Sequence, residues 1–300
     1  MKNFVFALLH AAGVTRFAAW WNRKRVIFLC YHGVTERATR GPHDPHGIHV
    51  RHHLFEAQLD YLRRHYHITT LREYLAARNE GRSLPDYSVV LTFDDGFRNF
   101  LTAAAPRLAA RGIPASLFII TDNAAEGDAP RLDRRWEPSD DVTYLSWAEA
   151  QALEREQGIE IGSHTCSHPR LLTLSPEETE RELRESYEAI VAHMGHKAPA
   201  FSYPKGEYSQ ILCAQARAMG YACAVTVDGG ANDADADLFA LGRTLIGDDD
   251  DKASFAVRVS GLRNWIADLR TILSGGAAAG KRREQRKAVP LSVSEPSKNP

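Results

Sequence analysis

Cysteine is scarce in this chain. Only Cys30, Cys166, Cys213 and Cys223 occur among 300 residues, and no two form a CxxC pair. So few thiols exclude a disulfide-built scaffold, and the missing pair excludes a zinc knuckle. This usage fits a reducing compartment. Excess charge of one sign is missing too: Lys+Arg is 37 against 38 for Asp+Glu, a net charge of -1. That removes a global electrostatic case for nucleic-acid binding, and no nucleic-acid partner is expected. A membrane span needs about 20 apolar residues, and the apolar run at positions 4–9 stops at His10, Gly13 and Arg16. Acidic residues are absent before Glu36, while Lys2, Arg16, Arg23, Lys24 and Arg25 precede it. We read residues 1–25 as an amphipathic, basic helix ending at Trp20-Trp21 and resting on a membrane surface. The alternatives are a signal sequence, for which a clean Ala-x-Ala site is missing, and a helix packed on the domain. The expected location is the cytoplasm or the membrane periphery, with secretion left open.

What remains is ordinary for a globular protein: 44% hydrophobic and 25% charged residues, in a chain long enough to bury a large core. Short apolar runs at 26–31 (VIFLCY), 88–93 (SVVLTF) and 115–120, with shorter ones at 159–162, 200–202, 222–227 and 241–246, read as strands. Helical patterns lie between them, at 54–62, 97–111 and 252–273. Capping boxes open others at Thr70–Glu73, Ser146–Glu149 and Ser175–Glu178, the last with Pro176 in its first turn. Alternating strands and helices imply an α/β fold with parallel strands, either a barrel or an open sheet. Residues 121–144 form a long polar loop, and loops of that length are usually functional or disordered. The main domain should span 26–274. The Gly/Ala, Lys/Arg and Ser/Pro-rich stretch 275–300 should be a disordered basic tail.

In parallel α/β folds reactive groups collect at the carboxyl ends of strands. Asp94-Asp95 follows VVLTF, and His164-Thr165-Cys166-Ser167-His168 follows the strand at 159–162. Asp95-Gly96 alone would read as a turn. With Asp94 and the strand before them, one carboxylate can ligate a metal while its neighbour takes protons. Imidazoles four apart suit Zn, Fe, Ni or Co. One Asp and two His leave coordination positions open, as catalytic metal sites do. Cys166, between the histidines, reads as a small packing residue. Tyr31-His32-Gly33 sits at a third strand end, where His32 is a proton donor, a ligand or a structural group.

These motifs resemble the polysaccharide deacetylase family, the NodB-homology domain of carbohydrate esterase family 4, over roughly 26–246. Thr92-Phe93-Asp94-Asp95-Gly96 is similar to its first motif, and His164–His168 fits its His-Ser/Thr-x-x-His motif. The resemblance implies a distorted (β/α) barrel of roughly seven strands. It implies Asp94 as general base and Asp95, His164 and His168 as ligands of a divalent metal, Zn first, with Co, Ni or Fe also fitting. The implied reaction is metal-dependent hydrolysis of the N-acetyl amide of an amino-sugar polysaccharide or glycoconjugate, an N-acetylglucosamine exopolysaccharide for example. Two departures stand out. The third segment, Phe201-Ser202-Tyr203-Pro204-Lys205-Gly206, lacks the family's Arg, and the late Leu-x-His motif is replaced by Leu241-Gly242-Arg243. The sequence instead resembles a branch with an early Tyr-His motif, which gives the acid role to His32. Arg243 is the proposed substitute for the Arg that orients the base, the alternative being a strand-end arginine. Substrate contacts are expected from Tyr203, Pro204 and Trp136 as well as Arg243, and the backbone N–H of Tyr203 is a candidate oxyanion donor. Tyr144 and Trp147 are further aromatic candidates, with core packing favoured for Trp147. Rival readings are a Mg²⁺ phosphatase, against which the histidine pair argues, a non-catalytic carbohydrate-binding relative, and a deacylase of a lipid-linked sugar or small amide.

Overall fold

Residues 26–31 are apolar on both faces of a strand, so the strand they form must be covered on both sides. In the computed structural model this strand, β1 (Val26–Tyr31), is buried throughout. The structure describes residues 2–36, 44, 47–124, 143–197, 200–262, 264–266 and 269. Ahead of β1 lie α1 (Lys2–Ala11) and α2 (Val14–Trp21). After it come β2 (Gly33–Thr35), β3 (His49–Arg51), α3 (His52–His65), β4 (His67–Thr69) and α4 (Leu71–Asn79). Then follow β5 (Ser88–Phe93), α5 (Ala105–Ala109), β6 (Ser116–Ile119), α6 (Trp147–Gln157), β7 (Glu160–Ser163), α7 (Pro176–Met194) and β8 (Ala200–Ser202). The chain continues through α8 (Gln210–Met219), β9 (Cys223–Val225), β10 (Ala231–Asn232), β11 (Arg243–Leu245) and α9 (Lys252–Val259).

The strands form one curled sheet in the order β10-β1-β5-β6-β7-β8-β9, with β11 also on β1 and β4 also on β5. All pairings in it are parallel except β1–β10. A bridge from Val225 to Leu241 ties β9 to the chain entering β11, which returns to β1. The result is the distorted barrel expected from the sequence, with β1, β5, β6, β7, β8, β9 and β11 as its seven parallel strands. Side chains alternate across each strand. Phe28, Val90, Phe118, Ala200, Val225 and Leu241 form one buried cluster with Leu71, Tyr74 and Leu75 of α4. Ile27, Leu29, Val89, Leu91, Leu117 and Ile161 form the other, packed against helices through residues such as Phe55, Leu59 and Leu183.

Local chemistry explains where helices begin and end. Reciprocal capping boxes open α6 and α7 at Ser146 and Ser175, and Gly158 and Gly195 close them in left-handed conformation. The helix expected over 97–111 is instead a π-turn, Phe100–Ala104, followed by the short α5. Pro106 lacks an N–H and crowds the carbonyl four residues earlier, so a regular ladder cannot run through it. The last helix is also interrupted before its expected end at 273. The helix α9 ends at Val259 because Gly261 turns left-handed (φ 67°), with the buried Asn22 amide donating to Ser260 O and Gly261 O. Helical backbone resumes at residues 262, 264–266 and 269, so the expected helix is broken rather than ended.

The amino-terminal segment is two helices rather than one, broken at Gly13 (φ 77°). Their inner face packs on α9, where Ala18, Val257 and Leu262 form a cluster joined by Phe6, Leu9, Val14 and Trp265. No helix among the described residues is long and apolar enough to cross a membrane. All four cysteines are free and buried.

Candidate active site and metal centre

The same alternation that fills the barrel interior continues past the strand ends. Counting in twos, Phe28-Cys30-His32, Val90-Thr92-Asp94, Gly162-His164, Ala200-Ser202 and Leu241-Arg243 share inward-facing parity. Gly162 is required at its position, because a Cβ there would lie 2.7 Å from Phe118 Cδ1. Apolar rings therefore fill the lower barrel, and polar groups meet at its carboxyl mouth.

Arg243 is the centre of that meeting. Its side chain is fully buried, with its guanidinium 5.5 Å from the Phe118 ring centre. The two terminal nitrogens donate to Asp94 Oδ1 at 2.7 Å and Oδ2 at 2.6 Å. They also donate to Thr92 Oγ1 and to Ser202 Oγ, each at 2.9 Å, while Nε donates to Thr226 O at 3.0 Å. Ser202 Oγ passes its own proton toward Asp94 Oδ2 at 3.1 Å. Every donor of this buried cation is directed at an oxygen, the condition under which a buried pair is tolerated. Burial opposes charge on Asp94, yet Arg243 and then His164 hold its carboxyl well below the ordinary carboxylate range. Arg243 is therefore not a strand-end surface residue. From β11 it pairs with both oxygens of the Asp94 carboxylate.

Asp95 leaves the alternation because its backbone turns left-handed (φ 72°), followed by Gly96 (φ 76°). The Asp-Gly turn and the site are thus one feature. A Cβ at Gly96 would meet Ile119 Cγ2 at 2.9 Å, so only glycine completes this turn. The turn delivers Asp95 Oδ1 to 3.5 Å from His164 Nε2 and 3.7 Å from His168 Nε2. The ligand atoms of Asp95, His164 and His168 all lie within 4.8 Å of one another. These separations are wider than direct hydrogen bonds. They approach the roughly 3.3 Å expected between two ligands of one tetrahedral ion with bonds near 2.05 Å. His164 donates from Nδ1 to Ser202 O at 2.8 Å, which fixes its tautomer and leaves the Nε2 lone pair facing the carboxylates. Burial works against charge on Asp95 as well, but the surrounding imidazoles, His164 first and then His32 and His168, hold its carboxyl well below the ordinary carboxylate range. The donor set, buried and preorganised, fits a divalent metal.

The loop carrying the second histidine is itself held. Thr165 and His168 both adopt left-handed backbone (φ 67° and 60°), and Thr165 Oγ1 accepts the His168 N–H at 2.9 Å. Behind them, the buried Glu182 of α7 accepts from Cys166 N at 2.9 Å, Ser167 N at 3.0 Å and Ser167 Oγ at 2.7 Å. Cys166 is the small packing residue expected; burial pushes its thiol up to about 12.

His32 is half-buried at the end of β1, and its Nδ1 has no hydrogen-bond partner. A His32 nitrogen, Cys30 Sγ and an Asp94 oxygen lie within 4.8 Å of one another. Burial lowers the pKa of His32 below the ordinary histidine value, only partly offset by Asp95 and Asp94. Gly33 is crowded, since a Cβ there would sit 2.1 Å from His49 Cδ2 and 2.5 Å from Asn99 Oδ1.

Tyr203 is a correction. Its parity is outward, its side chain is buried against Phe201 and Tyr208, and its hydroxyl donates to Phe239 O at 3.0 Å. It offers no platform to a sugar. Its backbone N–H donates to Val225 O at 3.1 Å in the β8–β9 pairing, so it is not an oxyanion donor either. Pro204 is buried at the start of a 3₁₀ turn, Pro204–Gly206, which removes it as a surface contact. Tyr144 is buried and stacks on Phe97 at 5.2 Å, and Trp147 stacks on His193 at 4.1 Å. Trp136 lies outside the described residues. Sequence reading passed over Thr92, Ser202, Thr226 and Glu182. Strand parity signals Thr92 and Ser202; nothing local signals Thr226 or Glu182.

Residues 81–224 match the family model described as polysaccharide deacetylase. The chain is 28% identical over 194 residues to the Bacillus subtilis protein YxkH, a match covering 64% of this chain and 63% of that one. It is 24% identical over 271 residues to the poly-beta-1,6-N-acetyl-D-glucosamine N-deacetylase of Escherichia coli K12, covering 80% of this chain and 39% of the relative. The chain thus spans less than two thirds of the length of either curated relative. Among solved structures it resembles the Streptococcus pyogenes deacetylase PplD in complex with acetate, with TM-score 0.67, 22% identity, and coverage of 78% of this chain and 98% of the other. It also resembles IcaB from Ammonifex degensii, with TM-score 0.63, 22% identity, and coverage of 80% and 97%. At these identities the structures establish the shared fold. His32 and Arg243 both lie outside the stretch that the family model matches.

Proposed function

We propose, from the match of residues 81–224 to the polysaccharide deacetylase model, that this protein hydrolyses the N-acetyl amide of an amino-sugar polymer or glycoconjugate, releasing acetate. One observation carries the reading: a three-ligand Asp/His/His cluster stands beside a separate, ionised carboxylate whose orientation a buried arginine fixes. Asp95, His164 and His168 would hold the ion, zinc by their donor chemistry. A divalent ion bound there supplies Lewis acidity toward the acetyl carbonyl and a more acidic water.

The chain's own residues do the rest. Asp94 accepts the proton of the attacking water. Arg243 keeps both of its oxygens placed, so the carboxylate is ionised before the reaction begins. His32, with a nitrogen within 4.8 Å of an Asp94 oxygen, gives a proton to the departing amine as the C–N bond breaks, because an unprotonated amine leaves poorly. General acid–base help of this kind is worth ~10²–10⁴-fold. The Escherichia coli relative's substrate makes β-1,6-linked N-acetylglucosamine oligomers the first glycans to try.

The test is acetate release from N-acetylated glycans of defined linkage, a lipid-linked N-acetyl sugar and phosphate esters, with metal-stripped and zinc-reloaded protein. Zinc-dependent acetate release from a glycan supports the reading. Phosphate release, or binding without turnover, overturns it.

A further inference from the structure

The helices α1 and α2 bury one face on α9 and leave another bare. Val5, Leu8, Phe17, Trp20 and Trp21 are between 40% and 54% exposed. The Phe17 ring lies 5.7 Å from Trp20, 6.5 Å from Trp21 and 5.6 Å from Trp265, so the aromatic groups form one patch rather than scattered exposures. Isolated exposed apolar residues need no explanation, but a contiguous aromatic patch marks an interaction surface.

Cations surround this patch. Arg16 and Lys24 are exposed, and the Arg23 guanidinium lies 4.7 Å from the Trp20 ring centre. Arg64 at the end of α3 and Lys252 at the start of α9 are exposed nearby. His65 reports on the crowding: its own burial first, then Arg64, Lys252, Arg16 and His10, keep its pKa below the ordinary value. Three basic side chains are partly neutralised. Arg23 and Lys24 share Asp86, at 3.4 Å and 2.6 Å, and Arg25 meets Asp233 at 2.7 Å. Arg16, Arg64 and Lys252 carry no such acid pair among the ion pairs of the described residues.

We propose that this face docks on an anionic lipid surface, the aromatic rings entering the headgroup layer and the cations meeting the phosphates. The charge pattern selects this occupant. A second copy presenting the same face would set Arg16, Arg64 and Lys252 against themselves. The chain after 269 is no better, since five of the seven residues at 281–287 are basic and one is acidic. The geometry also gives an orientation. Tyr87 N–H donates to Arg23 O at 2.7 Å, and Lys24 meets Asp86, so α2 ends at the amino ends of β1 and β5. The Asp94–His164 cluster occupies the opposite end. The exit of α2 on this face therefore lies away from the catalytic mouth. This inference does not depend on the deacetylase reading.

The test is co-flotation of the full chain with vesicles of phosphatidylcholine alone or mixed with phosphatidylglycerol. Wild type should float with the mixed vesicles only, with a blue shift of tryptophan emission. The pair Trp20→Ser/Trp21→Ser should weaken binding by about tenfold or more. Arg16→Glu/Arg64→Glu should weaken it by roughly fivefold per charge removed, and 1 M salt, with a Debye length of about 3 Å, should mimic that loss. All variants should melt with wild type, because these side chains are exposed. No flotation of a well-folded wild type, equal flotation of the Trp variant, or a dimer that the Trp substitutions split without any vesicle binding would each overturn the proposal.

Discussion

Replacing Arg243 by alanine isolates the pair on which the ionised Asp94 carboxylate depends. Arg243 is fully buried, and its two terminal nitrogens bond both oxygens of an equally buried Asp94. Removing one partner of a buried pair typically costs about 3–5 kcal/mol, because the remaining charge is stranded. For a chain of this size that corresponds to a fall in Tm of roughly 6–20 °C. The sign with pH follows from linkage. Asp94's carboxyl is held far below its unfolded value of about 3.9, so its stabilising contribution is present above that pH and is lost as pH falls toward the folded pKa. In Arg243→Ala, burial is left to raise the Asp94 pKa instead, and acid should relieve the strain. Urea unfolding of wild type and variant from pH 7 to pH 4 should therefore show the largest gap at pH 7 and a narrowing gap below. Arg243→Lys keeps the charge but not the fork, and should fall between them. A paired variant, Asp94→Leu/Arg243→Met, should recover much of the stability while remaining inactive. The reasoning is refuted if Arg243→Ala unfolds within about 1 kcal/mol of wild type with an unchanged pH profile, since buried bidentate pairing would then carry almost nothing.

Other substitutions separate the remaining roles. Asp95→Ala should come out of purification without bound metal by mass spectrometry, whereas His32→Ala should keep the metal and lose ~10²–10⁴-fold in turnover. Glu182→Gln should leave the melting temperature nearly unchanged yet weaken zinc by roughly 10–100-fold in a chelator competition, because it holds the His164–His168 loop from behind. In metal-free protein, the lowered His32 pKa means that the unfolded chain takes up this proton first as pH falls below about 6.5. His32→Gln should therefore lose less stability than wild type between pH 6.5 and 5, and an unchanged slope would contradict the assignment.

Much of the site was legible because parallel strands alternate and stop at their reactive ends. Apolar strands end at Asp94 and His164, and counting back in twos from either lands on an inward-facing residue, which also identifies Ser202 and Arg243. What sequence could not supply was distance across the barrel. Arg243 is 149 positions from Asp94, and no local pattern announces that β11 closes against β1. Tyr203 misled because aromatic character next to a proline is the same whether the ring faces a groove or a core; only its odd parity distinguishes the two. The amino-terminal helices were readable as amphipathic. That their inner face is taken by α9 follows from Asn22 reaching Ser260 and Gly261, a contact between the two ends of the domain. Breaks at Pro106, Gly13 and Gly261 interrupt helices that hydrophobic spacing alone would continue.

The most direct measurement is zinc titration of metal-stripped protein against a chromophoric chelator, for wild type and for Asp94→Asn, Asp95→Ala, His164→Ala and His168→Ala. If Asp95, His164 and His168 hold one ion with Asp94 free beside it, wild type and Asp94→Asn will each bind one zinc per chain, and the other three variants will lose tight binding. Full-affinity binding by Asp95→Ala or by both histidine variants, or loss of zinc in Asp94→Asn alone, would contradict that arrangement.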